Sequence, residues 1–257
     1  DRQAAIDYSL HLTANSVEPA FLQELAELGQ KGYSSVKLYT TYSGLMLEDA
    51  RILDILQTCR DSELLPIVHC ENDAIIARLK ARLVAAGQVA PRYHPASRPP
   101  VAEAEAVRRV LALARVVDVP LYIVHLSCVE SLEEVERARA AGQTVYAEVS
   151  PHHLLLDASE YAREGFEGAK YCCAPPLRVR SNLDALWQGL AAGRLDTVAT
   201  DHCPWNYETD RQRGRHDFTQ IPNGLPGIET RIPVLYHFGV HQGRISVNRF
   251  VDACATT

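Results

Sequence analysis

The chain has 257 residues, 47% of them hydrophobic, with a formal net charge of −6. That length can bury one sizeable core, read here as a single globular domain over residues 1–257, and the acidic balance argues against a nucleic-acid or anionic-membrane partner. No apolar run approaches the roughly 20 residues of a membrane span, and the seven cysteines, odd in number and without a CxxC pair, read as reduced thiols of a cytoplasmic protein.

Strand-like and helix-like segments alternate along the sequence. "IDYSLHL" precedes "EPAFLQELAELGQKG", where Phe21, Leu25 and Leu28 share a face and Gly32 can end the helix. "SSVKLYT" precedes "MLEDARILDILQTCR", and "LLPIVH" precedes "ENDAIIARLKARLVAAG". A Pro-rich link, "PRYHPASRPP", leads to the helical "VAEAEAVRRVLALARVV". "PLYIVH" precedes "ESLEEVERARAAG", a solvated helix with i,i+4 charge pairs. "QTVYAEV" follows, then an irregular stretch and the helix "SNLDALWQGLAAG". "DTVATD" leads into a polar loop running to about Pro226, within which "NYETDRQRGRHDF" reads as a mobile surface segment; two helical segments close the chain.

Short apolar strands separated by amphipathic helices predict a parallel α/β fold. No GxGxxG or GxxxxGK[ST] follows any strand, which removes the best support for a nucleotide-binding doubly wound sheet. The remaining candidate is a TIM-type (β/α)8 barrel, with six clear strands and a possible seventh at "AKYCCAP". The chain opens just before a strand and stops inside a helical pattern, so it is expected to be an internal portion of a longer protein.

Four ionisable residues fall in or at the carboxyl ends of strands: Lys37, His69, His125 and Asp201. In a barrel that is the face on which active sites are built. Two strands ending in "IVH" and one ending in Asp suggest ligands for a divalent metal such as zinc. Lys37 is notable because only four of the 26 basic residues are lysines. An amine, unlike a guanidinium, can shed its proton when buried. A neutral amine can add carbon dioxide to give a carbamate whose two oxygens bridge two metals. An edge-strand lysine reaching water is the competing reading. His11, at the end of the first strand, is expected near the same mouth. His152 and His153 are expected to pack or to support, and His202 to do either.

The blocks "GYSSVKLYTTY", "PIVHCEND", "IVHLS", "VSPHHLLL", "KYCCAPPLR", "TDHCPW" and "DFTQIPNGLPGIETRIPVLY" together resemble, in order, those of D-hydantoinases and dihydropyrimidinases, cyclic amidohydrolases of the amidohydrolase superfamily. The resemblance covers nearly the whole chain. It implies a metal-dependent (β/α)8 barrel lacking here its first strand and a flanking β-sandwich domain. It implies two divalent metals, zinc first among them, with a carbamylated Lys37 as the bridge. His69 and His125 would bind the second metal; Asp201 would bind the first and shuttle the proton. Tyr42 would stabilise the oxyanion, and Asn223 would bind the ring imide through its backbone. Main-chain groups at Ala174, where relatives have serine, would contact the substrate. A small cyclic amide substrate and a homotetrameric assembly are likewise implied. The family's His-x-His pair occurs nowhere in the sequence and is expected upstream of Asp1. Allantoinase or dihydroorotase activity, and a non-catalytic dihydropyrimidinase-related scaffold, remain as alternatives.

Overall fold

A computed structural model describes residues 8–256. Six strands lie in one sheet in chain order, and every neighbouring pair is parallel. They are β1 (Leu12–Thr13), β2 (Ser35–Tyr39), β3 (Leu65–His69), β4 (Leu121–Ile123), β5 (Val145–Val149) and β6 (Thr197–Val198). Helices α1 (Pro19–Gln30), α2 (Asp49–Asp61), α3 (Asp73–Ala85), α4 (Pro100–Val117), α5 (Val129–Ala140), α6 (Pro151–Leu155) and α7 (Arg180–Ala191) lie between the strands. Parallel neighbours need such crossovers, because a tight hairpin cannot return the chain to the same end of the sheet. The start of the expected first strand, Ile6 and Asp7, lies outside the described residues.

Alternation along β2 separates two environments. Val36 and Leu38 are fully buried and join the main core, which includes Ile52, Ile55 and Leu56 of α2 and Val107, Val110 and Ala114 of α4. Ser35, Lys37 and Tyr39 occupy the other face, toward the barrel interior. Each fully buried Leu or Ile contributes about 1.5–3 kcal/mol, so the helix-facing side supplies the stability. The interior side can therefore carry polar groups. A second core lies beyond the carboxyl ends of the strands, built from Tyr161, Phe166, Cys172, Cys173, Phe218 and Ile221.

The possible seventh strand at "AKYCCAP" does not form. Glu167–Tyr171 is a 3-10 turn, and Gly168 passes so close to Tyr161 that a Cβ would sit 2.3 Å from its carbonyl oxygen. Two carbonyls of this segment accept from Arg211, whose guanidinium donates to Ala169 O at 2.8 Å and Cys172 O at 2.9 Å and also reaches Pro222 O at 3.0 Å. Arg211 is only 2% exposed. The segment "NYETDRQRGRHDF", expected as a mobile surface loop, is thus anchored by a buried arginine that ties three stretches of backbone together. The closing helical segments are α8 (Arg231–Leu235) and α9 (Val247–Val251), each running on into a wider π turn.

Candidate functional site

The strand register sets out the site. Lys37 lies beside Ile67, and Tyr39 beside His69. His125 follows the end of β4 by two residues, and Asp201 follows β6 by three. His69, His125 and Asp201 therefore gather at the carboxyl ends of the strands, with Lys37 inside β2, two residues before its end. Nδ1 of His69 lies 2.9 Å from Nε2 of His125. Burial lowers the pKa of the Lys37 ammonium, against the opposing pull of Glu148, Asp201 and Cys70. Burial also lowers both imidazoles, and Lys37 adds to the effect on each. Asp201 stands at the open rim with an exposed side chain. Its carboxyl is nonetheless raised by desolvation among the strand ends, with Lys37 and His69 pulling it back.

Glu71 fixes the tautomer of His69. The Nε2 of His69 lies 2.8 Å from Oε2 of Glu71. A carboxylate only accepts, so Nε2 carries the proton and Nδ1 turns a bare lone pair toward His125. This carboxylate–imidazole arrangement is the one that orients metal-binding histidines. Arg98 pairs with the same Glu71 oxygen and holds its carboxyl well below the ordinary range, against desolvation. His125 is oriented by Glu148, which accepts its backbone N–H at 3.1 Å and the Tyr122 hydroxyl at 2.6 Å. Backbone strain marks the same place. Among the described residues five non-glycines have positive φ, and Tyr42 (76°), His125 (39°) and Asp201 (45°) are three of them. Such conformations persist where the surroundings enforce them, often at functional sites. Two neutral imidazoles, an amine biased toward neutrality and a carboxylate form a donor set that fits zinc or a similar divalent cation.

No family model matches the chain. It is 43% identical over 255 residues to a D-hydantoinase of Ralstonia pickettii, covering 99% of this chain and 56% of that relative. A D-phenylhydantoinase of Escherichia coli is 44% identical over 251 residues, with 97% and 54% covered. The crystal structure of a dihydropyrimidinase from Brevibacillus agri superposes with a TM-score of 0.94 at 40% identity, over 97% of this chain and 55% of that one. This chain belongs to the D-hydantoinase and dihydropyrimidinase family. It spans about half the length of the relatives it matches, and its six parallel strands belong to the TIM-type barrel of these amidohydrolases.

Other residues singled out in this hydantoinase-family sequence fall around the same mouth, with exceptions. The Tyr42 ring lies 5.0 Å from that of His69, and the Arg98 guanidinium lies 5.7 Å from the Tyr42 ring. Burial raises the Tyr42 phenol, with Arg98 opposing, so its hydroxyl stays a proton donor. Cys173, next to buried Ala174, is within electrostatic reach of Tyr42 and Asp201. The Asn223 carbonyl accepts the Trp205 indole N–H at 2.9 Å, while its Oδ1 is buried without a partner. The glycine after it, Gly224, has φ +142° and lies so near Cys203 that a Cβ would meet its carbonyl at 2.4 Å, so only glycine closes this turn.

His11 does not reach the mouth. It precedes β1 and lies 2.5 Å from the Ser35 hydroxyl, at the opposite end of the strands. His202 closes a loop, its Nδ1 accepting from the backbone of Gly227 and Ile228. Glu71, Arg98, Tyr122 and Glu148 join the site without being among the residues expected there. A signal existed for Glu148, since a carboxylate inside "VYAEV" is as anomalous as the lysine inside "SVKLY". Arg98, in a Pro-rich link, carried none.

Proposed function

We propose that this chain is the catalytic barrel of a longer cyclic amidohydrolase that opens a hydantoin or dihydropyrimidine ring to an N-carbamoyl amino acid or β-amino acid. The observation that carries the reading is the facing His69 Nδ1 and His125 Nε2 pair, backed by Glu71 and flanked by Lys37 and Asp201. Lys37, His69, His125 and Asp201 would hold divalent metal. In this reading two cations, zinc by preference, supply an acidified water and a Lewis acid when bound.

The protein's own groups do the rest. Burial favours the neutral Lys37 amine, which adds carbon dioxide; an N–C bond forms, a proton leaves, and the product is an anionic carbamate with two ligand oxygens. Asp201, its carboxyl raised above the ordinary range, takes a proton from the attacking water and returns it to the leaving ring nitrogen. The Tyr42 hydroxyl donates to the oxyanion that develops on the ring carbonyl. Main-chain groups at Ala174 and Asn223 hold the ring. The seven unpaired cysteines support a reducing, cytoplasmic setting. No helix among the described residues is long and apolar enough to cross a membrane. The family resemblance implies a homotetramer, which sedimentation of the intact protein measures.

The test is a ring-opening assay on the intact, metal-replete protein with hydantoins, dihydropyrimidines, allantoin and dihydroorotate. The expected result is N-carbamoyl product from the first two classes. Turnover confined to allantoin or dihydroorotate, or none at all, would overturn the reading.

A further inference from the structure

The described residues hold a second cluster of ligand-type side chains, which the proposed reaction does not use. His152 and His153 sit on the short helix α6, directly after β5, and Cys173 comes from the irregular segment near Ala174. All three are buried; one ligand atom from each can be chosen so that the three lie within 4.8 Å of one another. The imidazole rings are 4.3 Å apart, inclined at 57°. The expectation that these histidines pack or support leaves a ring nitrogen of each without a partner.

His153 Nε2 lies 3.0 Å from the Pro175 carbonyl oxygen, which can only accept. Nε2 therefore carries the proton, and Nδ1 is a bare lone pair, buried and without a partner. His152 Nε2 is also buried and unpartnered. Two buried ring nitrogens without partners, on residues clustered with a thiol, call for an explanation. The thiol of Cys173 donates to Pro175 O at 3.3 Å, so the same carbonyl backs both a thiol and an imidazole. Desolvation keeps both imidazoles neutral, with His152 lowered to about 4, and raises the Cys173 thiol to about 12. Neutral imidazoles offer lone pairs to a cation without first losing a proton.

We propose that His152, His153 and Cys173 form a buried site for one borderline or soft divalent cation of the zinc class, separate from the centre at Lys37. Two imidazoles and a thiolate make a donor set of the kind zinc takes up, with a fourth position left for a further ligand. On binding, the S–H bond of Cys173 breaks, a sulfur–metal bond forms, and one proton passes to solvent. The site adjoins the other centre, since His153 is within electrostatic reach of His125. It differs in chemistry, because the donors at Lys37, His69, His125 and Asp201 are nitrogen and oxygen alone. The inference does not depend on the proposed hydrolase reaction.

That difference gives the test. The intact protein, stripped of metal, is titrated with Co²⁺ while near-ultraviolet absorption is followed. Thiolate-to-cobalt charge transfer is expected, with release of about one proton per thiolate bound. The band should vanish in Cys173→Ser and in His152→Gln, and persist in Cys172→Ser and in Lys37→Ala. Absence of the band in the wild-type protein overturns the proposal and leaves the cluster to a buried water. Survival of the band in Cys173→Ser, or its loss in Lys37→Ala, overturns it too by assigning the thiolate elsewhere. Should Cys173→Ser fail to fold, His152→Gln keeps the thiol, and an unchanged band there refutes the site.

Discussion

Two buried carboxylate–arginine pairs stand side by side in this barrel and behave differently. Glu103 accepts from the backbone N–H and hydroxyl of Ser127 and from Arg178. Arg178 in turn donates to Ser127 and to the Arg98 carbonyl. Neither residue keeps a buried side-chain atom without a partner. Glu71 and Arg98 form an equally buried pair, yet Glu71 Oε1 and Arg98 Nε are both unsatisfied. A complete network fixes structure, here tying α4 to the loop before α7. An incomplete one is an expense tolerated where it serves a site. Glu71 spends its other hydrogen bond on His69, and Arg98 faces the Tyr42 ring. Identical chemistry is a latch in one place and a positioning device in the other.

The largest effect expected from this contrast is on stability. Arg178→Met strands the Glu103 carboxylate in the core and should cost about 3–5 kcal/mol in urea unfolding. A loss below about 1 kcal/mol would mean that the latch is not one. Glu71→Gln should act on metal instead, weakening zinc affinity of the intact protein about 10–100-fold because His69 loses its orienting carboxylate. Unchanged affinity would place Glu71 on the structural side of the comparison.

Acid sensitivity comes next. His94 is buried beside Arg98, donates to Cys173 O at 2.8 Å, and is lowered to about 3 by desolvation and then by Arg98. Its folded value lies below the unfolded value of about 6.5, so the unfolded chain binds the proton first. Its contribution is therefore complete above about pH 6.5 and is lost progressively as pH falls toward 3. At pH 5.5 the loss should be about 1 kcal/mol, and His94→Gln should flatten that part of the stability profile. A profile with the same slope in the variant would contradict the assignment. The half-exposed pair Arg194–Glu136, at 3.2 Å, gives the smallest effect. Glu136→Gln should change stability by less than about 1 kcal/mol.

How much of this could be read in the sequence follows from the range of the interactions. β2 to β6, α1 to α5 and α7 were legible because burial of one face imposes a local period on the residues. Lys37, His69, His125 and Asp201 were legible because each breaks an apolar strand or ends one. Arg98, Glu103, Arg178 and Arg211 were not. Each is an ordinary charge in a helix, a Pro-rich link or a polar loop, and its burial is decided by partners as far as 80 residues away, as for Arg178 and the Arg98 carbonyl. The strand expected at "AKYCCAP" failed for the same reason. Its pattern permits a strand, but the carbonyls found a guanidinium from the loop near residue 211 instead of a neighbouring strand.

Anomalous diffraction at the zinc edge, from crystals of the intact protein, tests the central proposition most directly. The account predicts a metal peak about 2.0–2.1 Å from His69 Nδ1 and His125 Nε2, with extra density on Lys37 Nζ reaching toward it and Asp201 alongside. A bare Lys37 amine in a crystal whose only metal lies away from those two nitrogens would contradict it.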